Sequence, residues 1–278
     1  MPTLQKCQLT YLNRWQKIKS VKFKTIKLKN TLKYLVISAF VFTQHAHASQ
    51  QYSEGDSAFL KRGEQEGGGQ DQARKALQLF REYHSKNPSD PESGWRHSMG
   101  CYFFGLHIAK DDDEKLQIFA EGRDAGKSAL ELAPKCAPCH FWTAINMALY
   151  GKHAGIFKMF FSISTIRHHL QETVNIDPGY AGAGAYRLLG LIEQKLPGIL
   201  GGSNKRAKEY FEKAIRTVPD EPLNHLFLMK LLIEEMDDIE GAKAVAKKGL
   251  AVPPPPPDRI ESIGSLKELE EFLKKPNL

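Results

Sequence analysis

The sequence predicts an all-α fold: antiparallel helix pairs stacked into a helical-repeat solenoid, with a C-terminal capping helix. Three observations predict it. Two small or apolar residues four apart, followed by a proline eight residues on, recur along the chain: Ala76, Phe80 and Pro88; Gly122, Gly126 and Pro134; Ile166, Leu170 and Pro178; Ala207, Phe211 and Pro219; Gly241, Val245 and Pro253. The intervals between these prolines are 46, 44, 41 and 34 residues. A run of prolines over 253–257 then breaks the pattern before one last apolar-periodic segment.

Residues four apart share one face of a helix, and a proline marks where the helix can no longer continue. The repeat domain is expected over 49–252. Within it the pattern gives helix pairs at 91–109 with 112–133, 138–150 with 156–176, 180–195 with 203–218, and 222–236 with 238–251. A partial pair covers 53–87, with Gly67-Gly68-Gly69 as its turn. The prolines at 253–257 form a stiff polyproline spacer. Residues 258–278 are the cap, in which Ser265 and Glu268 form a capping box and the helix runs from Leu266 to Lys275.

The 34-residue interval and the A-x3-F…P spacing resemble the tetratricopeptide repeat. Tyr186, Leu189 and Gly190 match the W-x2-L-G part of its first helix, with Tyr for Trp. The resemblance implies a curved stack with a groove.

Residues 1–48 stand apart. Tyr34–Phe42 is a short, mostly apolar run, preceded by lysines from Lys17 to Lys33 and followed by Ala46-His47-Ala48. That order is expected of a cleaved secretory signal, which places the protein in the periplasm. The apolar run is shorter than the roughly 20 residues a membrane span needs. The leader also distorts the charge. It holds nine of the 39 Lys and Arg and no Asp or Glu, leaving 30 against 32 beyond it. A basic surface for nucleic acid has no support.

Cys136-Ala137-Pro138-Cys139-His140 is the sharpest chemical motif. Two cysteines and a histidine at this spacing fit a c-type haem, which makes an electron-transfer protein the alternative function. A local disulfide at a helix start fits equally well, with Cys101 unpaired, and the preferred reading has no cofactor. Gly122 to Ser128 resembles a phosphate loop but has three residues between its glycines instead of four, and it reads as helix. His168 and His169 are adjacent and diverge on a helix, so they do not chelate one metal together. No metal site and no catalytic residues are expected, and the chain reads as a binding protein rather than an enzyme.

Two apolar features exceed what one buried stripe needs. Ile156, Phe157, Met159, Phe160, Phe161, Ile163 and Ile166 crowd one helix, and Leu196-Pro197-Gly198-Ile199-Leu200 is a greasy loop. Most of these residues are expected in an enlarged core. Phe157, Phe160, Phe161, Leu196, Ile199 and Leu200 are the candidate contacts for a protein partner or an apolar ligand.

His140-Phe141-Trp142, Tyr186-Arg187-Leu188-Leu189-Gly190, Lys195-Leu196-Pro197-Gly198 and Gly201-Gly202-Ser203 with Ala207 resemble the T-component of tripartite ATP-independent periplasmic (TRAP) transporters. The resemblance covers roughly 136–250, and its most specific part is Leu-Pro-Gly…Gly-Gly-Ser. It implies a periplasmic helical homo-oligomer with a hydrophobic pore, paired with a solute-binding protein and moving an apolar ligand. Family members are often lipoproteins, whereas no cysteine follows the apolar run here.

The leader makes a direct prediction: protein recovered after export begins at Ser49. Intact mass checks it, and retention of residues 1–48 contradicts it.

Overall fold

The computed structural model describes residues 52–63 and 69–275. The leader, its cleavage site, Cys7 and the turn residues Gly67 and Gly68 lie outside the described residues. The described chain is helices and their connections, with no strand. The helices are α1 (52–60), α2 (Gly69–Lys86), α3 (Pro91–His107), α4 (Asp112–Leu132), α5 (Ala137–Ala154), α6 (Ile156–Ile176), α7 (Tyr180–Lys195), α8 (Asn204–Thr217), α9 (Pro222–Met236), α10 (Ile239–Leu250) and α11 (Ile260–Leu273). Sequential helices pack on one another, and α3, α5 and α7 form one layer of the stack. None of these helices is long and apolar enough to cross a membrane.

Proline and short polar side chains punctuate this order. Pro88, Pro134, Pro178 and Pro219 each stand two residues beyond the end of a helix, α2, α4, α6 and α8. Several helices, on either side of these prolines, start from a side chain that accepts an orphan N–H. Asp90 accepts from Glu92 N, Asp111 from Glu114 N, Ser203 from Arg206 N and Asp238 from Gly241 N. The expected pairs fall within a few residues of their helices, α5 running furthest beyond expectation, to Ala154.

The small-and-apolar spacing lies inside. Ala76, Phe80, Leu170, Ala207 and Phe211 are essentially inaccessible, and Ile166 nearly so. Gly190 on α7 faces Phe211 on α8, where a Cβ would lie 2.5 Å from the ring. The paired glycines of α4 serve the same close approach. A Cβ on Gly126 would lie 2.2 Å from Thr143 Oγ1, and one on Gly122 2.5 Å from Asn146 Oδ1. Helices α4 and α5 therefore touch along a seam with no room for a side chain.

Two expectations fail. In the last repeat the buried pair four apart is Ala242 and Ala246, one position after Gly241 and Val245. Gly241 instead takes the capping bond of Asp238, and the proline run still supplies a proline eight residues after Ala246, at Pro254. The C-terminal helix starts at Ile260 rather than at a Ser265 capping box. Ser265 lies inside it, its hydroxyl donating to Ser262 O at 2.7 Å, because Ser262 and Ser265 are both buried against the stack. This back-bonding lets a small polar residue sit within a helix. Helix α11 packs on α9 and α10 through Leu269 and Phe272, as a terminal cap should. It also reaches the first repeat: Arg62 pairs with Glu261 at 3.2 Å, and Ile260 packs against the same buried cluster as Phe59.

The α4–α5 seam yields a stability prediction. Gly126→Val should cost about 2–3 kcal/mol by overpacking, read as a lowered urea midpoint. A variant as stable as the parent would contradict the seam.

Candidate ligand cavity

Between α6 and α7, over one side of α5, the helices leave a cavity of about 730 Å³. Helix α5 contributes Ala144, Ile145, Ala148 and Leu149; α6 contributes Met159, Phe160, Ile163, Ile166 and Leu170; α7 contributes Leu188, Leu191 and Ile192. Leu196, Pro197 and Leu200 close it from the connection after α7, and Tyr102 of α3 reaches its far wall. Among the described residues, Lys152 and Lys195 are the only charged side chains in the lining. Apart from these lysines and Tyr102, the lining is apolar.

The connection over the cavity is built for its shape. Pro197–Gly202 makes one tight 3-10 turn, with Leu200 N donating to Pro197 O at 2.8 Å. Gly201 has φ +87°, a left-handed conformation that glycine adopts without strain. At Gly202 a Cβ would meet Leu196 O at 1.8 Å. The Leu-Pro-Gly…Gly-Gly-Ser motif is therefore the covalent specification of this turn.

A buried carboxylate holds the cavity walls together. Glu193 on α7 is 1 % exposed, yet it carries two arginines. Arg167 of α6 bonds one of its oxygens, and Arg206 of α8 bonds the other through Nε at 2.8 Å. Arg206 also donates to Gly201 O, and Ser203 N donates to the Glu193 carbonyl at 2.8 Å. One side chain thus ties α6, α7, α8 and the turn around a space that side-chain packing does not fill.

The six candidate residues divide evenly. Phe160, Leu196 and Leu200 line the cavity. Phe157, Phe161 and Ile199 do not; they stand out from the surface at 79 %, 76 % and 95 % exposure. The expectation that most of the greasy α6 segment joins the core is corrected accordingly. Ile166 is buried and Met159 and Ile163 are half-buried, but the three phenylalanines are exposed. Sequence reasoning missed the walls from α5 and α7 and the role of Glu193. The signal for the walls was present in the mostly apolar content of 144–149 and 188–192. Nothing in one sequence marks Glu193 as buried among several solvated glutamates.

A second cavity, of about 330 Å³, adjoins the first, and Tyr102, Ile145 and Leu188 line both. Its wall includes Arg187, which is buried and lowered to about 10 by loss of hydration. Arg187 bonds Ala181 O, Gly182 O and Asn224 Oδ1. It thereby braces a left-handed stretch at the start of α7, where Ala181, Gly182 and Ala183 all have positive φ.

The Cys-x-x-Cys-His motif starts α5. Cys136 and Cys139 form a disulfide, with Cα atoms 5.2 Å apart. Cys101 is buried and free. His140 Nε2 bonds Pro134 O at 3.0 Å, and His225 Nε2 bonds Pro219 O at the same distance. Each histidine stands six residues after its proline, and His225 has no cysteines beside it. The motif's histidine thus performs a repeat function. His140 Nδ1 also meets His169 Nδ1 at 2.9 Å, and burial together with His140 lowers His169 to about 4. His168 is exposed.

One further polar cluster lies among the described residues. Donor atoms of His97, Cys101 and Glu121 fall within 4.8 Å of one another, a spacing a metal could bridge. Glu121 is already engaged by Arg81, at 2.6 and 2.7 Å, and by His97 at 2.6 Å. Burial raises its carboxyl, but His97 and Arg81 outweigh it and hold the group at about 2. The geometry is that of an ion-paired network between α2, α3 and α4.

Compared with known families, residues 60–276 match the one described as regulator of microtubule dynamics protein 1-3. The chain belongs to that family. Among solved structures it is similar to TTC0263, a thermophilic TPR protein of Thermus thermophilus. That likeness has a TM-score of 0.53 and 17 % identity, and covers 73 % of this chain and 91 % of that one. It shows the tetratricopeptide-like helical-repeat fold. A likeness to the crystal structure of MamA has a TM-score of 0.44 and 14 % identity, over 72 % of this chain and 93 % of that one. A comparison with curated proteins found no match.

The Glu193 hub is testable. Glu193→Gln leaves two half-solvated arginines without a countercharge and should cost about 2–4 kcal/mol. Hydrogen exchange should rise first in α6 and in the Pro197–Gly202 turn. Unchanged stability and protection would show that the walls are held by other means.

Proposed function

We propose that the chain is an exported tetratricopeptide-like binding protein that takes an apolar ligand into the larger cavity and passes it on through a protein partner. One observation carries this reading: a carbon-lined chamber of about 730 Å³, closed by a turn with its own sequence motif. Its size lies within the roughly 300–1,000 Å³ of small-molecule sites. The leader supports a periplasmic location, and the Leu-Pro-Gly…Gly-Gly-Ser turn supports a role as accessory T-component of a TRAP-type uptake system. In that role the partner is a solute-binding protein and the chain performs no catalysis. The family description favours a second reading, a partner in the microtubule system, and the secretory leader argues against it.

Filling the cavity tests the reading. Ala148 is half-buried in its wall. Ala148→Trp should keep or raise the melting temperature, because it occupies empty space. It should also lower the uptake of N-phenyl-1-naphthylamine, read by fluorescence, by about tenfold or more, since one buried aromatic ring represents about 2 kcal/mol or more of contact. Equal uptake by parent and variant would contradict a ligand in this cavity.

A further inference from the structure

We propose that the face around the cavity mouth docks on an anionic lipid bilayer, with Phe157, Phe161 and Ile199 entering the headgroup layer. Its purpose, drawing an apolar ligand directly from the membrane, rests on the reading of the cavity given above. The docking itself stands on separate observations.

The first is placement. Phe161 lies ring to ring with Phe160 at 5.9 Å, and Phe160 lines the cavity. Phe157 is one turn earlier on α6. Ile199 belongs to the same 3-10 turn as Leu200, which also lines the cavity. Three large apolar side chains from two separate elements thus project beside one opening, each more than three-quarters exposed. Isolated exposed apolar residues need no explanation; a cluster around a carbon-lined mouth does.

The second is charge. From 132 to 171 the chain carries Lys135, Lys152, Lys158 and Arg167 and no acid, and from 194 to 208 it carries Lys195, Lys205, Arg206 and Lys208 and no acid. These two stretches contain the elements that frame the mouth. Arg167 and Arg206 are committed to Glu193, and Lys195 lies 3.4 Å from Glu234. Lys152 and Lys158, both exposed, enter no ion pair among the described residues. Asp112, which approaches α5 through His153, is also held by Lys115 at 3.8 Å. Apolar side chains beside unpaired lysines match an interface of acyl chains beneath anionic headgroups. Two copies of such a face would bring like charges together, which disfavours self-association through it.

The test uses the full chain and sonicated vesicles, either of phosphatidylcholine alone or of equal parts phosphatidylcholine and phosphatidylglycerol. The parent should co-sediment with the anionic vesicles and less with the neutral ones. Phe157→Asp/Phe161→Asp/Ile199→Asp should lower binding to both by about tenfold or more. Lys152→Gln/Lys158→Gln should lower binding to the anionic vesicles roughly 25-fold, at about fivefold per lysine, and leave the neutral ones unaffected. All five positions are exposed, so both variants should keep the parent's melting temperature; if the aspartate variant unfolds, the lysine pair decides. Vesicle binding that neither variant changes overturns the proposal. So does a parent oligomer, seen by light scattering, that the aspartate variant dissociates, since a second copy then occupies the face. Naphthylamine uptake without vesicles separates the two readings. A parent that takes the probe but ignores vesicles overturns docking alone, while one that docks through this face but refuses the probe overturns the cavity reading and supports docking.

Discussion

A buried carboxylate with two arginines is the interaction on which the cavity depends. Helices ordinarily hold their spacing by filling the space between them, and an interior void forfeits those contacts. Where α6 and α7 part around the chamber, Glu193 supplies what packing does not, binding Arg167 on one side and Arg206 on the other. Burying a charge is costly unless it is paired and its lone pairs are satisfied, and both Glu193 oxygens are occupied here. The same arginine that neutralises the carboxylate fixes the turn through Gly201. Ion pairing, loop geometry and cavity shape are consequently one feature.

Elsewhere the stack follows the opposite strategy. Glycine or alanine on one helix meets a ring or a hydroxyl on the next, as Gly190 meets Phe211 and Gly126 meets Thr143. Such seams leave no space. On α5 and α6 the near counterpart is Gly151 against Met159, where a Cβ would lie 3.0 Å from Cα and 3.1 Å from Sδ, and the Met159 side chain also lines the cavity. Methionine adapts to irregular space where an aromatic ring would fix it.

The fold was legible in the sequence because its determinants are local and periodic. The prolines two residues beyond four helices, and the buried Ala76, Phe80, Ala207 and Phe211, are visible as spacing alone. Spacing failed where two registers were equally available, as with Gly241/Val245 against Ala242/Ala246 before a run of prolines. It failed again at Ser265, whose capping signature was overridden by burial. The site was half legible. Excess apolar content on α6 and in the Leu196–Leu200 loop pointed to the region, but periodicity does not say which side of a helix faces a void and which faces water. Phe160 and Phe161, adjacent in sequence, take different roles for that reason. The Cys-x-x-Cys-His motif was legible only as alternatives, because a short pattern serves more than one chemistry; in the fold it joins Cys136 to Cys139 and seats His140 on Pro134.

The central claim is that the chamber between α5, α6 and α7 exists to hold an apolar ligand. Native mass spectrometry of protein purified from its producing cells without detergent tests it most directly. The account predicts a population carrying one non-covalent adduct of roughly a few hundred daltons, as a chamber of this size admits, released into organic solvent when the chain is denatured. Protein found only at its bare mass, and unchanged in melting temperature at saturating apolar probe, would contradict it.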